Sequence, residues 1–297
     1  MRNLIVLLLL CSGCVNTESK NNRINDFINT LENSRNEEVI VVAHRGDWRH
    51  APENSLQAIQ NAIEMGVDMV EIDVRMTKDS ILVLMHDKAL DRTTNGKGLI
   101  TDWTLDSVKI LYLRNGLGRV TRHKIPTLEE AMLTAKGKIM VNLDKCYDNF
   151  AEAYKVLEKT ATVDHVIMKG KYPVEKVRSD FGKYLDKVFF MPIVSLDEPN
   201  AAKIISDYQK EINPVAFEFV FKMDTSKIID NFHLIKDKGS RVWINSLWAS
   251  LNGGHDDNRA IDDIQGSYGW IVGKGTNMIQ TDRPVLLMNY LESKKLR

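Results

Sequence analysis

The sequence lacks a net charge, because 40 lysines and arginines oppose 40 aspartates and glutamates over its 297 residues. A chain without an overall field does not attract nucleic acid or an anionic membrane as a whole, so functions that depend on a basic surface are disfavoured. Cysteine is scarce as well, and of three cysteines only Cys146 lies beyond the first 14 residues. One thiol cannot form an intramolecular disulfide, which excludes a disulfide-stapled fold.

The sequence also has no long hydrophobic run, and its main apolar stretch lies at the N-terminus. Residues 1–13 are predicted to be a lipoprotein signal peptide, because the apolar run Leu4–Leu10 leads to small residues and Cys14. This run is shorter than the roughly 20 residues that a membrane-spanning helix needs. The ending resembles a bacterial lipoprotein box with Cys11 at the usual leucine position, so Cys14 is expected to carry the lipid.

A lipid at Cys14 would hold the protein on a bacterial membrane in the cell envelope, on the periplasmic or the surface side. Cleavage by the ordinary signal peptidase, without lipidation, is the alternative. Residues 14–37 are predicted to form a tether followed by a short amphipathic helix, because Ile24, Phe27 and Leu31 recur at helical spacing. This helix is expected to pack on the base of one domain spanning residues 38–297.

Strand-like and helix-like patterns alternate from residue 39 to the C-terminus. The predicted strands are Val39–His44, Met69–Val74, Lys138–Asp144, His165–Lys169, Val188–Val194, Ala216–Phe221, Arg241–Asn245 and Met278–Thr281. Predicted helices between them include Asp148–Lys159, Glu198–Gln209 and Ser226–Lys238. Eight such units in about 260 residues predict an α/β fold, a (β/α)8 TIM-type barrel, with a doubly wound open sheet as the alternative.

Polar residues end the first predicted strand. Val39–Ala43 is almost wholly apolar, as in strands buried on both faces, and His44-Arg45-Gly46 follows it. The carboxyl ends of barrel strands carry the chemistry of this fold. His44 can transfer protons near neutral pH, and the planar fork of Arg45 can bind a phosphate in two places.

The segment Met69–Asp87 contains the most informative pattern. Glu71 and Asp73 lie two residues apart on a predicted strand and therefore point to the same face. Adjacent carboxylates repel each other, and a hard cation such as Mg²⁺ or Ca²⁺ keeps both ionised. A second short run, Ile81–Met85, then delivers His86 as a possible general acid or base. A solvated pair of acids on an edge strand is the alternative.

The motifs His44-Arg45-Gly46, Pro52-Glu53-Asn54-Ser55, Glu71-x-Asp73 and His86-Asp87, in this order, resemble the glycerophosphodiester phosphodiesterase family. Three later matches extend the resemblance over nearly the whole chain: Arg92-Thr93-Thr94, Ile125–Glu130 and Gln280–Pro284. The resemblance implies metal-dependent hydrolysis of a small glycerophosphodiester to an alcohol and sn-glycerol 3-phosphate. His44 and His86 would be the acid and base, in either order.

The resemblance also implies a cap. The long segment 88–124 interrupts the alternation with few apolar residues at regular spacing, and the family carries a small capping insertion at this place. It further implies a third metal carboxylate and a phosphate-binding lysine on the strand Lys138–Asp144. The family presents Glu-Leu-Lys there, whereas this chain has Asn142-Leu143-Asp144-Lys145. Asp144 is expected to be the third ligand, and Lys145 to bind phosphate if the strand ends before it.

Further candidates stand at other strand ends. Lys169 is a second possible phosphate contact, and Trp243 and Trp248 could stack on the substrate's head group. Glu53, Asn142 and Glu218 are expected near the site in supporting roles, with Glu218 either lining the mouth or paired with a cation such as Lys222. His255-Asp256-Asp257 is expected to be a solvated loop that closes over the site.

Two other functions stay open. A phospholipase-type phosphodiesterase would act on intact lipid with similar histidines. A non-catalytic lipoprotein would bind phosphodiesters, although binding needs the cations and not two proton-transfer groups.

Overall fold

Eight parallel strands close into a barrel in this computed structural model, which describes residues 18–297, with side chains from Arg23 onward. The parallel strands are β1 (Ile40–Ala43), β2 (Met69–Met76), β4 (Met140–Asp144), β5 (Val166–Gly170), β6 (Phe189–Ser195), β7 (Ala216–Val220), β8 (Arg241–Asn245) and β9 (Met278–Thr281). Pairing of β1 with both β2 and β9 completes the ring, and β3 (Leu82–Leu84) adds an antiparallel strand to β2. Both ends of each predicted strand lie within two residues of the ends of an observed strand.

Helices surround the barrel and connect its strands. Their bounds are α1 (Glu18–Glu32), α2 (Leu56–Met65), α3 (Leu105–Lys109), α4 (Leu128–Ala135), α5 (Phe150–Thr160), α6 (Val174–Phe181), α7 (Ala201–Glu211), α8 (Phe232–Asp237), α9 (Arg259–Asp262), α10 (Trp270–Gly273) and α11 (Pro284–Ser293). The predicted helix Ser226–Lys238 is shorter than expected, because only α8 and a preceding 3-10 turn are helical. The predicted signal peptide and Cys14 lie outside the described residues. Among residues 18–297, no helix is both long and apolar enough to span a bilayer.

The barrel interior changes from apolar to charged along β2 and the neighbouring β4. On β2 the inward side chains are Met69, Glu71 and Asp73 in turn, while Val70 and Ile72 point outward to the helices. The register pairs Glu71 with Asn142 and Asp73 with Asp144 on β4. The carboxyl ends of the strands therefore carry the polar side chains, as the barrel prediction requires.

Residues 88–124 form a cap with a small hydrophobic core. The core unites β3 and its flanks with the insertion, and its main members are Val83, Met85, Leu90, Ile100, Val108, Leu111, Leu113 and Ile125. The sequence shows few apolar residues at regular spacing in this segment, and the structure gives the reason. Its apolar residues meet through turns, isolated bridges and the five-residue α3, so they show no regular period in the sequence.

The N-terminal helix closes the base of the barrel. Ile24 and Leu31 of α1 are buried against the lowest interior layer, which includes Met69 and Trp243. Arg241, fully buried at the start of β8, holds the end of this helix. Its guanidinium donates hydrogen bonds to the backbone carbonyls of Thr30, Leu31, Asn33, Glu38 and Asn277.

We expect Arg241→Met to lower the free energy of unfolding by about 3 kcal/mol or more, because five backbone carbonyls, two of them in buried hydrogen bonds, lose their charged donor. Urea unfolding followed by circular dichroism measures the change. Arg178→Met is the matched control, since Arg178 is exposed and forms only a surface ion pair with Glu211. A loss below about 1 kcal/mol for Arg241→Met would show that water replaces the guanidinium without cost.

Candidate active site

A cavity of about 360 Å³ opens at the carboxyl ends of the barrel strands. Residues after β1 form one wall, the cap forms a second, and the loops after β8 and β9 form the third. The lining side chains used below are His44, Arg45, Trp48, Glu53, Arg92, Arg114, Asn115, Trp248 and Asp282. Three predicted site residues, His44, Arg45 and Glu53, therefore line a cavity that a small molecule can enter.

Three carboxylates meet at the polar end of the barrel. Oxygen atoms of Glu71, Asp73 and Asp144 lie within 4.8 Å of one another, and the first two side chains are buried. Glu71 Oε1 and the neighbouring Asn142 Oδ1 have no hydrogen-bond partner among the described residues. Buried oxygens without a donor are costly unless a ligand completes them. This donor set, three carboxylates and an amide oxygen, suits a divalent cation such as Mg²⁺ or Ca²⁺.

The three carboxyl groups of the triad differ in their pKa values. Burial and the charge of Asp73 raise the pKa of Glu71 to about 7. Burial opposes ionisation of Asp73 too, but Lys145 and Arg45 outweigh it and hold the Asp73 pKa below its usual value. In the same way, Lys169 and Lys145 overcome burial and lower the pKa of Asp144. Glu71 is therefore the member whose proton competes with a bound cation near neutral pH.

Two lysines reach the triad by different routes. Lys145 follows β4 directly and adopts a left-handed backbone (φ 55°), which turns its side chain inward. Its Nζ lies 2.9 Å from Asp73 Oδ1. Lys169 rises from the interior of β5, with Nζ 3.5 Å from Asp144 Oδ2 and 3.2 Å from Glu218 Oε2. Glu218 is thus paired with a cation, as one of the two alternatives expected, but the cation is Lys169 and not Lys222, the example given.

His44 is held by a carboxylate from the last strand. Its Nδ1 lies 2.7 Å from Asp282 Oδ1, and Trp48 Nε1 donates to the same oxygen at 2.6 Å. The other ring nitrogen, Nε2, is 4.0 Å from Glu71 Oε2. With Asp282 accepting from Nδ1, the Nε2 atom faces the triad and is free to take or give a proton.

His86 is held in a similar way on the cap side. Its Nδ1 lies 2.6 Å from Asp87 Oδ1, and Arg92 bridges Asp87 to Glu53 with a bidentate contact to each. Burial lowers the pKa of His86, despite the opposing charge of nearby Asp73. The neutral imidazole therefore predominates at pH 7 in the free protein.

Arg45 lies between these groups. It has a left-handed backbone (φ 54°), and its amide N–H donates to Glu71 Oε2 at 2.9 Å. The guanidinium donates to Glu53 at 3.0 Å and lies 3.4 Å from Asp73 Oδ2. Asn54 supports Asp73 from the same loop, exchanging two hydrogen bonds of 2.9 Å with it. The Pro52–Ser55 motif thus orients the triad and the arginine.

Trp243 does not contact the cavity. The side chain is fully buried in the lowest interior layer, and its Nε1 donates to Asn245 Oδ1 at 2.8 Å. Strand alternation identified the inward face correctly but not the height along the barrel. The predicted substrate contact of Trp243 was therefore wrong, whereas Trp248, 44% exposed, lines the cavity wall.

The loop His255–Asp257 is not solvated as expected. His255 stacks on Trp270 at 3.7 Å between ring centroids, and both His255 and Asp257 are buried. Asp257 accepts hydrogen bonds from three side-chain hydroxyls and, at 2.6 Å, from the backbone N–H of Asp282. This loop therefore fixes the segment that holds His44.

Sequence reasoning assigned no role to Asp282, Trp48 or Arg92. The signal for Asp282 was present, because it directly follows the last strand, which must neighbour the first strand when a barrel closes. Trp48 and Arg92 lie in loops without periodicity, where a sequence does not reveal contacts. The cap residues Arg114 and Asn115 were missed for the same reason.

Comparison with known proteins agrees with this site. Residues 44–187 match the model of the glycerophosphoryl diester phosphodiesterase family, and residues 190–291 match a domain of unknown function. A glycerophosphodiester phosphodiesterase of Caldanaerobacter subterraneus is 42% identical over 107 residues, which are 35% of this chain and 44% of that protein. The chain thus spans less than half the length of this relative.

Solved structures share the fold over most of their length. A glycerophosphoryl diester phosphodiesterase from Parabacteroides distasonis has a TM-score of 0.77 and 24% identity, covering 91% of this chain and 92% of that one. An Oleispira antarctica phosphodiesterase, solved with the product sn-glycerol-3-phosphate, has a TM-score of 0.64 and 20% identity over 87% and 99% of the two chains. At these identities the similarity establishes the barrel fold.

We expect the affinity for Mg²⁺ or Ca²⁺ to rise about tenfold per pH unit between about pH 5.5 and 7, and to level off above about pH 8. The reason is the raised pKa of Glu71, whose proton must leave before a cation binds. Isothermal titration calorimetry across this range measures the slope. Glu71→Gln should bind weakly with a much smaller slope, whereas Glu292→Gln on α11 should behave as the unaltered chain. A flat affinity from pH 5.5 to 8 would contradict the assignment.

Proposed function

Because the chain belongs, over residues 44–187, to the glycerophosphoryl diester phosphodiesterase family, we propose that it hydrolyses glycerophosphodiesters to an alcohol and sn-glycerol 3-phosphate. The observation that carries the proposal is the pair of histidines, each held at Nδ1 by a carboxylate, near an acidic triad at the carboxyl ends of the strands. Of these groups, His44 also lines the cavity. The product in the Oleispira antarctica complex supports the choice of glycerol 3-phosphate.

The residues that would hold a divalent cation are Glu71, Asp73 and Asp144, with Asn142 Oδ1 beside them. When bound there, Mg²⁺ or Ca²⁺ would supply positive charge that polarises the phosphodiester and stabilises the negative charge of the transition state. Although its side chain is shorter than the family's glutamate, Asp144 lies opposite Asp73 in the register and has an oxygen within 4.8 Å of the other two carboxylates.

The chain's own cations would bind the phosphate. Arg45 reaches the cavity, and Lys145 and Lys169 stand at the triad within salt-bridge distance of its carboxylates. A bound phosphodiester brings a negative charge that these side chains can neutralise and orient. Since each cation is already held by a carboxylate, the substrate would meet a preorganised site that needs little rearrangement.

The two histidines would transfer the protons. Each has its Nδ1 occupied by a carboxylate, so Nε2 is the atom left for the substrate. One Nε2 would accept the proton of the attacking oxygen, and the other would donate a proton to the departing alkoxide. The attacking oxygen belongs to water in a direct hydrolysis, or to the glycerol's own hydroxyl if a cyclic phosphate forms first.

We expect the full chain to release glycerol 3-phosphate from glycerophosphocholine, glycerophosphoethanolamine or glycerophosphoinositol, and to lose this activity in EDTA. His44→Ala and His86→Ala should each lower kcat by about 100-fold or more, because each removes one proton-transfer group. The exposed His233→Ala is the matched control. If a folded, cation-loaded protein left all three diesters intact but cleaved a phospholipid, the phospholipase alternative would replace this proposal. If it cleaved neither the diesters nor the phospholipid, a non-catalytic binding role would replace it.

Asp282→Asn tests the positioning of His44 separately from its chemistry. Without the negative charge that accepts from Nδ1, the imidazole loses its fixed orientation, and kcat should fall about 100-fold with KM changed less than about threefold. The affinity for the cation should stay unchanged, since Asp282 does not belong to the triad. Asp237→Asn, at an exposed position, is the control. Equal losses in kcat and cation affinity would indicate a general collapse of the site instead.

A further inference from the structure

Exposed hydrophobic side chains are concentrated in the second half of the cap. Twelve large hydrophobic side chains are exposed among the described residues, and four of them fall within residues 110–124. Their exposed fractions are 68% for Ile110, 39% for Tyr112, 81% for Leu117 and 49% for Val120. A concentration of this kind on an otherwise polar surface indicates a contact with another apolar phase.

The same segment is strongly basic. Residues 110–124 contain Arg114, Arg119, Arg122 and Lys124 and neither aspartate nor glutamate, although the whole chain has no net charge. Arg119 and Arg122 are exposed. Lys124 covers the ring of Tyr112, with Nζ 3.4 Å from its centroid, and donates to the carbonyl of Ile110. Positive charge and apolar side chains are therefore interleaved along one short stretch.

This stretch forms part of the rim of the cavity. Arg114 and Val120 form an antiparallel bridge, and the turn between them is closed by the N–H of Asn115 donating to Arg119 at 2.9 Å. Arg114, Asn115, Gly116 and Gly118 of this hairpin line the cavity, while Leu117 projects from the turn. The exposed leucine thus stands at the entrance of the site.

We propose that residues 110–124 dock the protein on an anionic lipid surface, with Leu117 entering the interface between head groups and acyl chains. Basic residues beside aliphatic ones are the composition of interfacial membrane contacts, where the charges attract anionic lipids and the apolar side chains leave water. Aliphatic side chains favour a bilayer over nucleic acid, whose bases are bound by stacking on aromatic rings.

Docking in this manner would orient the entrance of the cavity relative to the membrane. Since the hairpin belongs to its wall, the entrance would lie at the lipid surface, and molecules at that surface would enter without crossing bulk water. The overall charge balance of the chain does not oppose this, because a local basic segment acts within a Debye length of about 10 Å. Docking itself does not depend on which reaction the site performs.

The first experiment is co-sedimentation of residues 15–297 with vesicles, a background that lacks the apolar run Leu4–Leu10 and the lipid acceptor Cys14 but keeps all the described residues. We expect stronger binding to phosphatidylcholine vesicles that contain one quarter phosphatidylglycerol than to phosphatidylcholine alone, and weaker binding at high salt. Arg119→Gln/Arg122→Gln should reduce binding to the anionic vesicles by about 10- to 30-fold. Leu117→Ser/Val120→Ser should also reduce it, while turnover of a soluble diester stays unchanged.

The matched control lies on α8, where Leu234 is 52% exposed and Lys238 is also exposed. Leu234→Ser/Lys238→Gln removes one apolar and one basic side chain far from the cap in sequence, and it should leave vesicle binding as it was. A loss in this variant equal to that in the cap variants would mean that binding is not specific to residues 110–124, which would overturn the proposal.

A second measurement locates the contact directly. Leu117→Cys, labelled with an environment-sensitive fluorophore in the same background, should shift to the blue and brighten with anionic vesicles, because the label leaves water. The one other cysteine, Cys146, is buried. The label at Leu234→Cys should not respond. An unchanged spectrum at position 117 under conditions where the protein sediments with vesicles would also overturn the proposal.

Discussion

The site depends on holding three carboxylates side by side at the carboxyl end of the barrel. Two acids a few ångströms apart in a poorly solvated site repel each other strongly, and burial adds the cost of removing each from water. Arg45, Lys145 and Lys169 supply the opposing charge. The first two have a left-handed backbone just after β1 and β4, whereas Lys169 lies within β5. Even so, Glu71 remains partly uncompensated, which leaves a place for further positive charge.

Barrel closure determines the orientation of His44. Because β9 pairs with β1, Asp282 at the end of one strand stands beside His44 at the end of the other. Asp257, buried behind them, holds the amide of Asp282, so a loop distant in sequence determines the direction of the imidazole. A change in that loop would therefore shift the imidazole of His44 through Asp282.

The strands and the triad could be predicted from the sequence because each rests on a strong local pattern. Strands buried on both faces read as apolar runs, and two acids at a spacing of two must share a face. Trp243 shows the limit of that reasoning, since alternation gives the face of a residue and not its depth. The loop at His255–Asp257 shows another, because three polar residues can be buried when hydroxyls and a backbone N–H satisfy them. Whether Lys145 points into the site depended on where β4 ends, and the left-handed backbone of Lys145 turns its side chain inward.

The two halves of the chain contribute different things to one site. The half that matches the family supplies the groups that would meet the phosphate: both histidines, the triad, Arg45 and the two lysines. The part that matches a domain of unknown function supplies Asp282, Glu218 and Trp248. Asp282 orients His44, Glu218 neutralises the charge of Lys169, and Trp248 lines the cavity wall. Under the proposed function, the first set would bind and act on the phosphate, whereas Trp248 and the cap residues Arg114 and Asn115 line the cavity wall, where the alcohol would lie. The shape of this wall, rather than the triad, would then decide which alcohol is accepted.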